Sequence, residues 1–112
     1  MNDWTTDAAE ETYLIRRWSD GYFGIGSDGK LLALPDADNG TVPIALQDVV
    51  DELRAQNVEF PVVMRFHDIL RNRVIQLHTA FDEAIAEMEY QAPYRGVFPI
   101  KVNQTREVVD EI

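Results

Sequence analysis

Leu70, Val74, Leu77, Phe81, Ile85 and Met88 step by four, three, four, four and three positions. That spacing lays one apolar stripe along a helix expected over 68–90. Leu46, Val49, Val50 and Leu53 predict a second helix over 45–56, with Asp48, Asp51, Glu52 and Arg54 on its other faces. Near the start, Asp7 followed three residues later by Glu10 predicts a capped helix over 7–18. Tyr22-Phe23-Gly24-Ile25 and Lys30-Leu31-Leu32-Ala33-Leu34 flank Gly26-Ser27-Asp28-Gly29, where the Asp-Gly pair suits the positive φ of a tight hairpin. The Pro-, Asp-, Asn- and Gly-rich run 35–43 reads as the most flexible loop.

Two short apolar runs frame the long helix. The residues at 61–66 (Pro-Val-Val-Met-Arg-Phe) and 94–102 (Tyr-Arg-Gly-Val-Phe-Pro-Ile-Lys-Val) are too short and too rich in β-formers to continue it. They predict strands, and strand, helix, strand is a βαβ unit with parallel pairing and a right-handed crossover. Pro99 is the objection, because proline cannot donate to a ladder. After it, Thr105 is placed to cap a last helix with Val108, Val109 and Ile112 on one face. The expected fold class is therefore α/β. Residues 1–60 carry an N-terminal helix, a β-hairpin and a second helix, and 61–112 carry an opening βαβ portion.

Composition narrows the functions. Ten Lys and Arg against twenty Asp and Glu give a formal charge of −10, which disfavours nucleic acid and anionic membranes as partners, since both demand clustered basic residues. There is no cysteine, so disulfides, thiolate nucleophiles and cysteine metal sites are excluded. The first eleven residues lack the basic and apolar regions of a secretory signal, and no apolar run approaches the roughly 20 residues of a membrane span. These features are compatible with a cytoplasmic protein. The sequons at Asn39 and Asn103 then read as chance.

Of the motifs with chemical meaning, most have a plainer explanation. Gly24-Ile25-Gly26-Ser27-Asp28-Gly29 spells G-x-G-x-x-G, but the next residues reach Pro35 too soon to form the helix a pyrophosphate site needs. His67 and His78, the only histidines, would share a helix face roughly 16 Å apart along its axis, too far for one metal. Twenty carboxylates make any single acid–base pair uninformative.

Lys101 differs. It interrupts an otherwise apolar run and is one of only two lysines, the other being Lys30 in the hairpin. A buried ammonium there would lose hydration and deprotonate more easily, which an amine nucleophile requires. From spacing alone, a lysine snorkelling from a strand end is the stronger explanation.

The run at 94–104 (Tyr-Arg-Gly-Val-Phe-Pro-Ile-Lys-Val-Asn-Gln), with Val63-Met64-Arg65-Phe66-His67-Asp68-Ile69-Leu70 and Trp18-Ser19-Asp20-Gly21-Tyr22-Phe23, resembles the N-terminal part of the biosynthetic arginine decarboxylase family. The order and spacing of all three match, over about 4–112. The resemblance implies a pyridoxal-phosphate enzyme with an alanine-racemase-like (β/α)₈ barrel. A complete barrel takes roughly 250 residues, so 61–112 would be its incomplete opening portion. By the same resemblance Lys101, in P-I-K-V-N-Q, is the catalytic residue and binds pyridoxal phosphate covalently, and magnesium is a further cofactor on that ground alone. Also implied are L-arginine as substrate, agmatine and CO₂ as products for polyamine synthesis, and a homo-oligomeric full-length enzyme. Arg65 and Asn103 are candidate neighbours of the cofactor, with a salt-bridged arginine and an Asn turn as the equally strong structural explanations. His67 stands where many relatives carry proline, serine or a similar residue.

A chain of 112 residues cannot close a barrel, so the isolated chain is expected to be inactive. Two other readings stay open. One is a non-catalytic interaction fragment that associates through strand edges and apolar helices. The other is a small regulatory or ligand-binding α+β domain.

Overall fold

The computed structural model describes residues 3–36 and 39–112 and divides into two compact units, Met1–Met64 and Arg65–Ile112. In the first unit, α1 (Thr6–Tyr13) is capped by Thr5, whose hydroxyl accepts from the Ala8 N–H at 3.1 Å. The cap is thus Thr5 rather than Asp7, which lies in the first turn and there suits the helix dipole. The expected single helix over 7–18 is two. At Leu14 the chain turns left-handed (φ 53°) and restarts as α2 (Ile15–Ser19). Glu10 explains the break, since its Oε1 reaches forward to accept the Arg16 N–H at 2.6 Å and satisfies a donor at the start of the new helix.

β1 (Phe23–Ile25) and β2 (Leu31–Ala33) form the expected hairpin, with Ile25 opposite Leu31 and Phe23 opposite Ala33. Gly26 N–H donates to the Lys30 carbonyl at 2.8 Å and Gly29 N–H to the Gly26 carbonyl at 2.9 Å. Gly29 alone of the Asp-Gly pair takes a positive φ, 82°, as a three-residue hairpin loop ending in a left-handed residue requires. The G-x-G-x-x-G letters are therefore strand and turn, followed by β2 and not by a helix.

A third strand, β3 (Ile44–Ala45), pairs antiparallel with β2, with Ala45 opposite Leu32 and Ile44 opposite Ala33. The hydrophobic pattern missed it because it is two residues long and runs directly into α3 (Leu46–Ala55). On α3 the four apolar positions read from sequence, Leu46, Val49, Val50 and Leu53, are the half-buried ones. Ala9, Ile15 and Ala33 form the sealed core of this unit. Part of the expected flexible loop, 37–38, lies outside the described residues. Beside it, Asp36 and Thr41 are tied together, the Asp36 N–H donating to Thr41 Oγ1 at 3.0 Å and the Thr41 hydroxyl to the Asp36 carbonyl at 2.7 Å.

In the second unit the long helix is α4 (His67–Glu87), within a few residues of the expected 68–90. The flanking strands are absent. Neither 61–66 nor 94–102 enters a ladder, and all strand pairing among the described residues is antiparallel in β1–β2–β3. Each run contains a proline with no N–H to give, and neither has a partner strand among the described residues. Instead the second run folds at Pro99 into a 3₁₀ turn, Ile100–Val102, closed by Val102 N–H to the Pro99 carbonyl at 2.9 Å. The last helix, α5 (Arg106–Val109), has Thr105 at its N-cap position, but the Thr105 hydroxyl makes no capping bond. Its backbone carbonyl accepts from Val108 and Val109, while the Thr105 N–H is held by Asn103 Oδ1 at 3.0 Å. Val108 is buried, Val109 half-buried and Ile112 exposed.

All the longer helices end on a residue in the left-handed region, and none of these is glycine: Leu14, Asn57 and Glu89 at φ 53°, 58° and 50°. After α3 and α4 the next N–H reaches back over the turn, Val58 to Leu53 and Tyr90 to Ile85, each at 3.0 Å. This is a Schellman closure, which satisfies carbonyls the helix leaves free. Among the described residues no helix is long and apolar enough to cross a membrane.

Candidate functional site

Lys101 is the middle residue of the 3₁₀ turn and its side chain is exposed. The exposure agrees with the snorkelling lysine that spacing alone favours, and the burial that would ease deprotonation is not found, because the strand is not formed. Among the described residues Lys101 has no hydrogen bond or ion pair, so its amine is open to solvent.

The turn is held on both sides. Upstream, the Tyr94 ring stacks on Phe81 with centroids 4.2 Å apart and planes 1° from parallel, and His78 meets it edge-on at 4.9 Å. Such aromatic contacts stabilise beyond their buried area by roughly 0.5–1.5 kcal/mol each. Gly96 lets the chain pass there: a Cβ at that position would stand 3.3 Å from Tyr94 Oη and 3.4 Å from His78 Nε2. His78 thus lies beside the apolar stripe, as its place in the helix suggests. Tyr94 was not singled out from sequence. The usable signal was the spacing of His78 and Phe81, three apart on one helix face, ahead of an aromatic that follows the Pro93 break.

Downstream, α5 is tied to α4. Arg71 Nε and Nη2 donate to Glu111 Oε2 and Oε1 at 2.7 and 2.8 Å. That pair holds the Arg71 guanidinium above its ordinary pKa, through the hydrogen bond first and the charge of Glu111 second. His67 Nδ1 lies 4.0 Å from the same carboxylate.

A groove of about 420 Å³ in the same unit is bordered by Arg65, Phe66, His67, Leu70, Asn103 and Val108. The structure therefore brings Arg65 and Asn103 to one groove, and Lys101 is not on its wall. A second groove of about 200 Å³ lies along Leu70, Val74 and Leu77 beneath Tyr94, Val97 and Phe98. The arrangement offers an accessible primary amine on a turn anchored at both ends, next in sequence to a groove with a basic rim. Such an amine can attack a carbonyl. No group of three or more His, Cys, Asp or Glu poised for a metal occurs among the described residues.

No family model matches the chain. Curated relatives do. The chain is 44% identical over 112 residues to biosynthetic arginine decarboxylase of Alkalilimnicola ehrlichii and 47% identical over 109 residues to that of Rhodopirellula baltica. It is 43% identical over 112 residues to that of Shewanella denitrificans. By sequence, the chain is similar to the N-terminal portion of proteins named biosynthetic arginine decarboxylase. It spans 18%, 16% and 18% of these three relatives, while the matches take in 97–100% of the chain itself. The similarity therefore reaches both units described above, the hairpin as well as the turn that carries Lys101.

Proposed function

We propose that this chain furnishes the N-terminal segment of a pyridoxal-phosphate-dependent arginine decarboxylase, a lyase converting L-arginine to agmatine and CO₂. In this proposal Lys101 holds the cofactor. The observation that carries it is identity of 43–47% along nearly the whole chain to relatives bearing that name. The chemistry of Lys101 fits, since covalent attachment needs a primary amine that a carbonyl can approach and no carboxylate has to be displaced from this one.

When bound, the cofactor supplies an electron sink for the pair left behind as CO₂ departs. The chain's own contribution is to present Lys101 Nζ. Tyr94 packed on Phe81 and the Arg71–Glu111 pair fix the peptide before and after the turn, and just beyond it Asn103 Oδ1 accepts the Thr105 N–H. Residues 61–66 and 94–99, which lack a ladder here, are the runs that would pair with further strands of a longer chain to open the barrel. Without those strands the 112-residue chain alone is inactive.

Borohydride reduction after pyridoxal phosphate treatment, on the polypeptide made from its native locus, tests this. A single adduct on Lys101, with agmatine formation lost in Lys101→Ala, is expected. An adduct on Lys30 only, or activity that survives Lys101→Ala, would overturn it.

A second reading draws on Val63 and Val97, which are 79% and 93% exposed. A non-catalytic fragment that self-associates through such residues would show a mass rising with concentration in sedimentation. A strictly monomeric, folded chain would remove that reading.

A further inference from the structure

Away from Lys101, the first unit holds a cavity of about 550 Å³ between α1 and the hairpin, within the size range of small-molecule pockets. Trp4 and Tyr13 line it, with Ile15 and Leu31 behind them and Asp28 and Ser27 at the hairpin tip. Among the described residues that line it, Asp28 is the only charged one.

Both aromatic rings are spare. Trp4 and Tyr13 are 66% and 64% exposed, and among the described residues neither has a ring partner or a cation over it. Asp28 is only partly committed. Its Oδ1 accepts the Lys30 N–H at 3.1 Å, but the Lys30 ammonium sits on Asp48 Oδ1 at 2.6 Å and stays 3.9 Å from Asp28 Oδ2. Thr5, at the mouth, already spends its hydroxyl on the Ala8 N–H, and Asp7 offsets the positive start of α1.

We propose that this cavity is a binding site for a small organic cation of the alkylammonium class, with Trp4 and Tyr13 as its π walls and Asp28 as its counter-charge. Aromatic faces attract such cations through their quadrupole, most strongly for tryptophan, and the Asp28 carboxylate adds negative charge that Lys30, 3.9 Å away and hydrogen-bonded to Asp48, neutralises only in part. A chain of formal charge −10 raises the local concentration of any cation further. The site is independent of Lys101 and of the decarboxylase assignment.

The test is titration of the full 112-residue chain with choline, and separately with its uncharged tert-butyl analogue, following the indole N–H resonances. Trp18 stacks on Phe23 at 5.8 Å and serves as the internal control. A saturable shift of the Trp4 resonance with choline alone, weakened about threefold or more in Asp28→Asn and in Tyr13→Ala, is expected. An equal response to the neutral analogue would overturn the proposal in favour of a plain apolar cleft. So would a shift of Trp4 and Trp18 together without saturation, no shift at all, or an unchanged affinity in Asp28→Asn with the Trp18 resonance in place.

Discussion

Arg71 and Glu111 stand forty residues apart in sequence and meet as a two-pronged pair, Nε to Oε2 at 2.7 Å and Nη2 to Oε1 at 2.8 Å. Glu111 is the shielded partner, its side chain only 16% exposed. α5 is four residues long, too short to persist by its own hydrogen bonds. Burial of Val108 and this pair are what hold it. Glu111→Gln should therefore fray α5, read as faster amide exchange at Val109 and Asp110 with α4 unaffected. Arg71→Lys should fray it nearly as much, since an ammonium cannot reproduce the fork.

That long-range pair shows where sequence reading stops. Helical spacing located α4 and α3, and it named the half-buried face of α3, because a helix satisfies its own backbone and needs only one covered side. The hairpin was legible from Asp28-Gly29 for a similar reason, its turn chemistry being local. The runs at 61–66 and 94–102 were misread because a strand is defined by its neighbour, and composition cannot say whether one is there. The break at Leu14 was hidden as well, since it depends on Glu10 turning forward to Arg16. For the candidate site, Lys101 was legible as a residue through family resemblance, but its exposure followed from the missing strand. The Tyr94 stack required the chain to return past His78, which Gly96 permits and no periodicity announces.

Glu89 occupies a conformation it is poorly suited to, at φ 50° where the Schellman closure of α4 favours glycine. Its Cβ meets the following carbonyl there. Glu89→Gly should stabilise the second unit by about 1 kcal/mol, seen as a higher urea midpoint with an unchanged slope. Asn57, in the equivalent place after α3, already tolerates that backbone, so Asn57→Gly should change little.

Lys30 links the hairpin to α3 through Asp48 at 2.6 Å. The hydrogen bond to Asp48, then its charge, raises the Lys30 pKa above the ordinary 10.5. A raised folded-state value means the contribution is complete below 10.5 and disappears as pH climbs through the higher value. Stability should thus fall above pH 10.5 in the wild type, and Lys30→Met should lack that alkaline component. The ammonium is solvent-exposed, so salt should weaken the effect. Heteronuclear NMR titration of Lys30 Nζ with and without Asp48→Asn would check the direction. An unchanged Lys30 midpoint in Asp48→Asn would refute the link.

Ala33 is 0% exposed, opposite Phe23 on one side and Ile44 on the other. The middle strand of a three-stranded sheet has no open flank into which a larger side chain could lean. Ala33→Leu should cost about 1–3 kcal/mol by overpacking. Ala45→Leu, at a half-buried position on the edge strand, should cost less. Paired denaturation curves would separate the two, and equal costs would mean the sheet yields as a body around Ala33.

Lys101 makes the opposite demand. It is exposed, it has no partner among the described residues, and the turn that bears it is closed by backbone bonds, Val102 N–H to Pro99 and Asn103 N–H to Ile100. Nothing in that arrangement needs the ammonium, so Lys101→Ala should leave stability within about 0.5 kcal/mol of wild type. The same change should abolish borohydride-trapped pyridoxal phosphate on the native-length polypeptide. Together these outcomes separate a chemical role from a structural one. Loss of the adduct with stability intact assigns Lys101 to the chemistry, whereas a clear loss of stability would mean the residue supports the fold and that the missing adduct says nothing about its nucleophilicity. Tyr94→Ala supplies the contrast, because it removes the Phe81 stack upstream of the turn. It should lower stability and slow trapping while leaving the adduct, once formed, on Lys101.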